Sequence, residues 1–535
     1  MLGLTLGLSG FVFRVSVVHA WTGTVYIRSD GTVEPAGAPI NTTDKIVYKL
    51  WDNISVSGLM ASGIVIERDN IAIEGNGFAV HGLQSQFTIG VDLRQRNNVT
   101  VKNLNIEGHA FGINLYQSVN IKIQECNITN NNWGIDLKYS NSSTILENNL
   151  VNNGLAIRLG SSSTHNFILR NNVTGAGNGI VIQENCNFTI ISENYLAGDL
   201  SLIATGIAIS ASENKILRNT ITSYGAAGIS LSYASKNLIY GNDITLNGAV
   251  GVDLYEYADN NTVAGNTIAV NGYGIRIYMA SNNKIFNNIF YNNGLNIMIE
   301  TGSGNLFNGG YPCGGNYWSD YEGEDRYHGE NQNVPGADGI GDYAYVTDST
   351  IDEYPLMAPL NLTYVGTWDS IDYYIGVASN STVTDVLFNP ELGPYLKFNV
   401  SGLDGTTGFC RITIPKAVLW TENSWNITVN GQKIENYLEL TDEENTYLYF
   451  TYAHSAKTIT IQGTNVIPEY PPATLLTLPL PLLITTFITT IKGKKAKSTP
   501  RFNVKIPDFS AVSLNRKANL LKRRKEKEFC MGQRV

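Results

Sequence analysis

Cysteine, histidine and methionine are scarce, with five, six and six in 535 residues. No two cysteines stand as Cys-x-x-Cys, which excludes a zinc ribbon, a thioredoxin-type pair and a dense disulfide framework. Histidine and methionine recur at no fixed spacing, so a soft cation such as copper finds no ligand set. Charge is thin: Asp, Glu, Lys and Arg make up 16% of the chain. The Ala, Glu and Lys that helices favour give way to Ile, Val, Thr and Asn, which argues against helical repeats and against disorder. Fourteen of the 37 Lys/Arg but only three of the 46 Asp/Glu lie from Lys492 onward, so that tail carries +11 and residues 1–491 carry −20. An acidic body of this kind excludes nucleic acid as its partner.

What the sequence does have is a repeat. Glycine followed by two apolar residues around a variable one returns at Gly63, Gly90, Gly112, Gly134, Ala156, Gly179, Gly206, Gly228, Gly251, Gly274 and Asn296. Most steps are 22 or 23 residues, and two are 27, at Gly63–Gly90 and Gly179–Gly206. Period-two alternation, as in Ile135-Asp136-Leu137, selects strands. A coil this long holds three short strands and three turns but no helix pair. The expected fold is all-β: a right-handed parallel β-helix of about ten to eleven coils, each unit burying its apolar face against its neighbours. Asn105, Asn127, Asn172, Asn194, Asn219, Asn242, Asn266 and Asn288 run in phase with the repeat, as a stacked amide ladder would.

Along the chain, residues 1–20 read as a signal peptide and 21–62 as an N-terminal cap over an otherwise open sheet edge. Residues 63–308 form the β-helix and 309–360 a C-terminal cap. Residues 361–465 alternate as in a small antiparallel β-sandwich. Residues 466–497 contain nineteen uncharged positions abutting Lys492, the pattern of a transmembrane or sorting segment, with a basic cytosolic tail over 498–535. Twelve Asn-x-Ser/Thr sequons, among them Asn127 and Asn172, all precede that tail, which fits an exported body. As ladder members, Asn127 and Asn172 are expected to be buried and unmodified.

GNYWSDY (315–321), DGIGDYAY (338–345) and DEYPLMAP (352–359) follow the Asn-rich coils. With them the chain resembles NosD-type and pectin-lyase-like β-helix proteins of prokaryotic, especially archaeal, cell surfaces, over residues 22–360. TTGFCRITIPK (406–416) resembles a module found beside surface anchors. The resemblance implies an extracellular location, anchored to the membrane through the C-terminal segment. It also raises copper delivery, for which the scattered His and Met are a poor set.

Two groups of residues carry candidate chemistry. In each repeat the variable position and the one two beyond face outward. Stacked, they place Asp92, Asn114, Asp136 and Arg158 in one column, with Tyr116, Lys138, Tyr255 and Tyr278 beside it. Tyrosine rings stack on pyranoses and polar groups bond hydroxyls, so an extracellular polysaccharide or surface glycan is the expected partner. Asp92 and Asp136, two coils or ~9–10 Å apart, also span the reach of an inverting glycosidase pair. A polysaccharide lyase or glycoside hydrolase is therefore the alternative to a scaffold or binder. In the cap, Asp320, Glu324, Asp325, Asp338 and Asp342 suggest structural calcium, with turn formation as the competing reading. No organic cofactor is expected. Cys313 and Cys410 are the one pair placed to bridge cap and sandwich.

Overall fold

The computed structural model describes residues 21–84, 87–347, 350–368, 371–391 and 393–466. The signal peptide, the transmembrane or sorting segment beyond Val466 and the basic tail lie outside the described residues. Among those described there is no helix long and apolar enough to cross a membrane.

Three sheets of 13, 13 and 12 strands run the length of residues 21–318, parallel throughout except for one antiparallel edge strand each in the second and third. We call them first, second and third, beginning at Trp21–Thr22, Val33–Glu34 and Ile40–Asn41. Each coil contributes one strand to each, in the order third, first, second. Register is one coil per step: Ile113 pairs with Ile135, Ile135 with Ile157, Ile157 with Ile180 and Ile180 with Ile207, all fully buried. The period that recurs in the sequence is thus the pitch of about eleven turns. Glycine opens the phrase because coils approach closely there: a Cβ on Gly112 would lie 2.5 Å from the Gly134 carbonyl oxygen. Where sheets begin, strands of only two residues leave little edge to pair with another chain.

The corners are pinned by asparagine. On the corner before the first sheet, Asn148, Asn171, Asn194, Asn219, Asn242, Asn266, Asn288 and Asn316 are buried and stacked. In each step the Nδ2 of one donates to the Oδ1 of the next at 2.9–3.0 Å. The same oxygen accepts the backbone N–H of the preceding rung. Shorter ladders occupy the other two corners, Asn247–Asn271–Asn293 and Asn237–Asn261–Asn283–Asn305.

Two expectations about the ladder are corrected. Asn105, Asn127 and Asn172 sit one residue past the inner position, at the start of first-sheet strands, and point outward. Asn172 is exposed and Asn127 half-buried, so neither sequon is hidden. The inner residues there are Leu104, Cys126 and Asn171, whereas Asn194, Asn219, Asn242, Asn266 and Asn288 are rungs as expected.

The ladder ends on a carboxylate. Asp352, fully buried, accepts the Asn316 N–H at 2.7 Å, the Trp318 Nε1–H at 2.9 Å and the Tyr354 N–H at 3.0 Å. It stands where the next asparagine would be. Trp318 stacks between Phe290 and Tyr345, closing the core. Beyond the cap, residues 375–462 lie in two antiparallel sheets. Buried Arg411, on the strand Thr407–Pro415, donates to the Asp338 and Pro312 carbonyl oxygens and joins sandwich to cap. Residues 364–374 group as a separate unit, in which the Thr367 hydroxyl donates to Asp372. The cysteines do not bridge: Cys313 and Cys410 are both free thiols, Cys410 lying against Ser379.

Candidate functional site

The outer surface of the second sheet collects the outward residues of every coil. Cross-strand register brings together Asp92, Asn114, Asp136 and Arg158 in one column, with Tyr116 beside Lys138 and Tyr255 beside Tyr278. Direction was therefore read correctly, but coverage was not. Asp92 and Asp136 are 2% and 0% exposed. Arg158 donates from Nε and Nη2 to the two Asp136 oxygens at 2.6 and 2.9 Å and lies flat on Trp133, 3.8 Å from its ring centre. Lys138 closes from the other side at 3.9 Å. Asp92 is gripped by Arg94 from within its own strand. These long neighbours fold over outward carboxylates and seal them. An acid tied in a bidentate fork and shut from solvent cannot reach a glycosidic oxygen, so the proposed catalytic pair is not assembled as such.

The same arrangement occurs again higher in the stack. Arg276 donates from Nε and Nη2 to the Asp253 oxygens at 2.9 and 2.7 Å, with its guanidinium 5.6 Å from the Tyr255 ring centre. Tyr255 stacks on Tyr278 with centroids 5.0 Å apart. Between the two forks lie coils whose outward residues are mostly small: Gly160, Ala208, Ser210, Ser230 and Ser232.

A second feature was missed by sequence reasoning. At the corner leading from the second to the third sheet, left-handed residues recur in coil after coil, two or three residues beyond the repeat phrase and again just before the third-sheet strand. Tyr139, Phe188, Tyr233 and Tyr257 occupy such positions, with φ of 52°, 60°, 53° and 57°. They are 45–59% exposed. Asparagine or glycine suits this conformation, whereas a bulky side chain there costs ~1–2 kcal/mol. The rings partner along the corner: Tyr139 with Tyr116 at 5.6 Å, Phe188 with His165 at 4.9 Å and Tyr233 with Tyr257 at 5.5 Å. The signal was in the sequence, as an aromatic just past the phrase in Tyr139, Tyr233 and Tyr257. At the N-terminal end, a cavity of about 390 Å³ opens between Glu67, Asp92, Arg94, Arg96 and Tyr116.

The cap acids are spread over several hydrogen-bonded turns and contacts. Asp325 accepts the N–H groups of Asp338 and Gly339, and Asp338 that of Ile340. Asp342 accepts those of Arg326 and Tyr327, Asp320 bonds Asn296 and Tyr345, and Glu324 pairs with Arg326. Asp325, Asp338 and Asp342 thus shape turns, although Asp338 Oδ2 is buried without a hydrogen-bond partner, and among the described residues no three His, Cys, Asp or Glu gather around one point. Burial pushes Asp325 up to about 7 against its two N–H donors, and Asp352 likewise. Copper fits no better. His109 is buried and bonds the Val80 carbonyl, and His81 pairs with Glu107. Met279 and Met298 stand singly on different strands and turns.

Residues 49–196 match the family model for right-handed β-helix regions, and residues 198–323 match that of the periplasmic copper-binding protein NosD. No curated protein sequence matches the chain. Solved structures with some likeness include the A-module of an Azotobacter vinelandii mannuronan C-5 epimerase, 17% identical over 54% of this chain and 88% of that one, TM-score 0.39. A Dettilon tailspike protein is 15% identical over 77% and 87%, TM-score 0.34. A periplasmic alginate epimerase is 13% identical over 52% and 84%, TM-score 0.34. At such identities and scores the neighbours say nothing about substrate. The two family models, the coil-by-coil register and the three stacked sheets make this chain a right-handed parallel β-helix repeat protein.

Proposed function

We propose that the protein is a cell-surface β-helix scaffold that binds an extended polysaccharide along its second sheet and the adjoining aromatic corner. The observation that carries this reading is the placement of exposed aromatic rings at left-handed turns, where their backbone cost has no return in core packing. Solvent-facing rings distributed along the corner offer the stacking surface that pyranose faces use. Tyr116, Tyr255 and Tyr278 belong to that surface. Asn114, Lys138 and Arg158 supply polar contacts beside it. The sealed state of Asp92 and Asp136 favours binding over turnover. Export and anchoring through the segment beyond Val466 complete the reading, and the acidic body with its basic tail is the sequence feature behind them.

A glycan array read with the intact protein tests the proposal. Retention of extended polysaccharides, with little retention of mono- and disaccharides, is expected. Retention of no polysaccharide, or release of shortened chains from those retained, would overturn it.

A further inference from the structure

The two Asp–Arg forks are copies of one device. Each joins an aspartate to the arginine directly beside it on the next coil, Asp136 to Arg158 and Asp253 to Arg276. Each uses Nε and Nη2 of the guanidinium and both carboxylate oxygens, and each sets the guanidinium over an aromatic ring of the preceding coil. The carboxylate fixes the guanidinium plane and cancels its charge. It leaves Nη1 and its two N–H donors uncommitted among the described residues. Lys138, 3.9 Å from Asp136, adds a positive charge at the first fork, whereas Arg276 at the second is the more exposed of the two guanidinium groups. A donor held rigid with its charge countered suits a neutral acceptor: a hydroxyl, a ring oxygen or an acetamido carbonyl.

The surroundings point the same way. Glu256 and Glu300 lie near the second fork, and residues 1–491 carry −20, so a polyanion would approach against the field of the whole body. Arg158 and Arg276 are five coils apart, or ~24 Å at one strand spacing per coil. A pyranose and its linkage advance an extended chain by roughly the same ~5 Å, so sugars and coils run nearly in step. Between the forks, Ala208, Ser210, Ser230 and Ser232 are small, and Val181 and Gln183 are the larger outward residues.

Resting on the binding role proposed above, we infer that the ligand is a neutral, extended polysaccharide read at two related subsites, the Nη1 groups of Arg158 and Arg276. A chain of about six sugars is the shortest that engages both, and linkage of the two contacts raises affinity by effective concentration.

The test is calorimetric titration of the intact protein with trimers and hexamers of neutral sugars (gluco-, manno- and N-acetylglucosamine-oligosaccharides) and of galacturonate and mannuronate. At least one neutral hexamer should bind about tenfold or more tighter than its trimer, with little dependence on salt. Arg158→Gln and Arg276→Gln should each remove most of that hexamer advantage. Because Arg158→Gln strands a buried carboxylate, the paired change Asp136→Asn with Arg158→Gln is measured beside it, with melting as the folding control. Tighter, salt-dependent binding of the acidic hexamers would overturn the inference. So would a neutral hexamer no tighter than its trimer, or an unaltered hexamer advantage in the folded variants. Failure of the underlying binding role looks different: no oligomer of either kind binds, and no array polysaccharide is retained.

Discussion

Asn219 is the rung at which the ladder account is most exposed to refutation. Its Oδ1 accepts the Asn194 N–H at 3.0 Å and the Asn194 Nδ2 at 2.9 Å. Its own Nδ2 donates to the Ile191 carbonyl at 2.9 Å and to Asn242 Oδ1 at 3.0 Å. Asn219→Ala removes all four bonds in a site 1% exposed to solvent. The buried Asn194 N–H loses its acceptor, while its Nδ2 keeps the Ile168 and Ser192 carbonyls, and an unsatisfied buried group costs ~1–3 kcal/mol on top of the lost bonds. Allowing for partial relaxation, the variant should lose ~3–5 kcal/mol. Urea unfolding followed by far-ultraviolet circular dichroism reads this directly, with Asn172→Ala as the control. Asn172 belongs to the outer row and its loss should cost about 0.5 kcal/mol or less. If the two variants unfold within ~1 kcal/mol of each other, the stacked amides are not what pins the corners.

Two further outcomes concern the cap. Asp325 and Asp352 are raised to about 7 by burial, above the ~3.9 of an unfolded aspartate. The unfolded chain releases these protons near pH 4 while the folded cap keeps them to about pH 7, so their contribution is full below ~pH 4 and is lost as pH rises to ~7. Cap melting should therefore fall across that window, less steeply in Asp325→Asn; a slope equal in wild type and variant would sink the assignment. Because Asp325, Asp338 and Asp342 already accept backbone N–H groups, calcium or a chelator should leave the melting temperature of the protein unchanged, and a clear upward shift with calcium would mean that the cap acids rearrange into a site.

The sequence revealed the second sheet better than the rest, for a physical reason. A glycine at a close approach between coils and an isoleucine stacked on isoleucine repeat with the pitch itself, so the phrase survives every coil. The asparagine ladders were blurred by doublets such as Asn148-Asn149 and Asn171-Asn172, because one residue of slip moves a side chain from core to solvent. Asp136 shows the other limit. Alternation gives the direction of its side chain, but only the arrangement of Trp133, Lys138 and Arg158 determines that nothing outside can touch it. The cap acids were ambiguous for a similar reason: an oxygen-rich turn and a metal site use the same residues, and only the hydrogen bonds of Asp325 and Asp342 separate them.

The central claim is that a glycan lies along the second sheet and its aromatic corner. A crystal structure of the protein with an oligosaccharide of the polymer it retains tests this most directly. The account predicts sugar rings stacked on Tyr139 and Tyr257, with the chain running parallel to the coil axis past Arg158 and Arg276. Sugar bound to the first or third sheet or to the sandwich, with Tyr139 and Tyr257 bare, would contradict it.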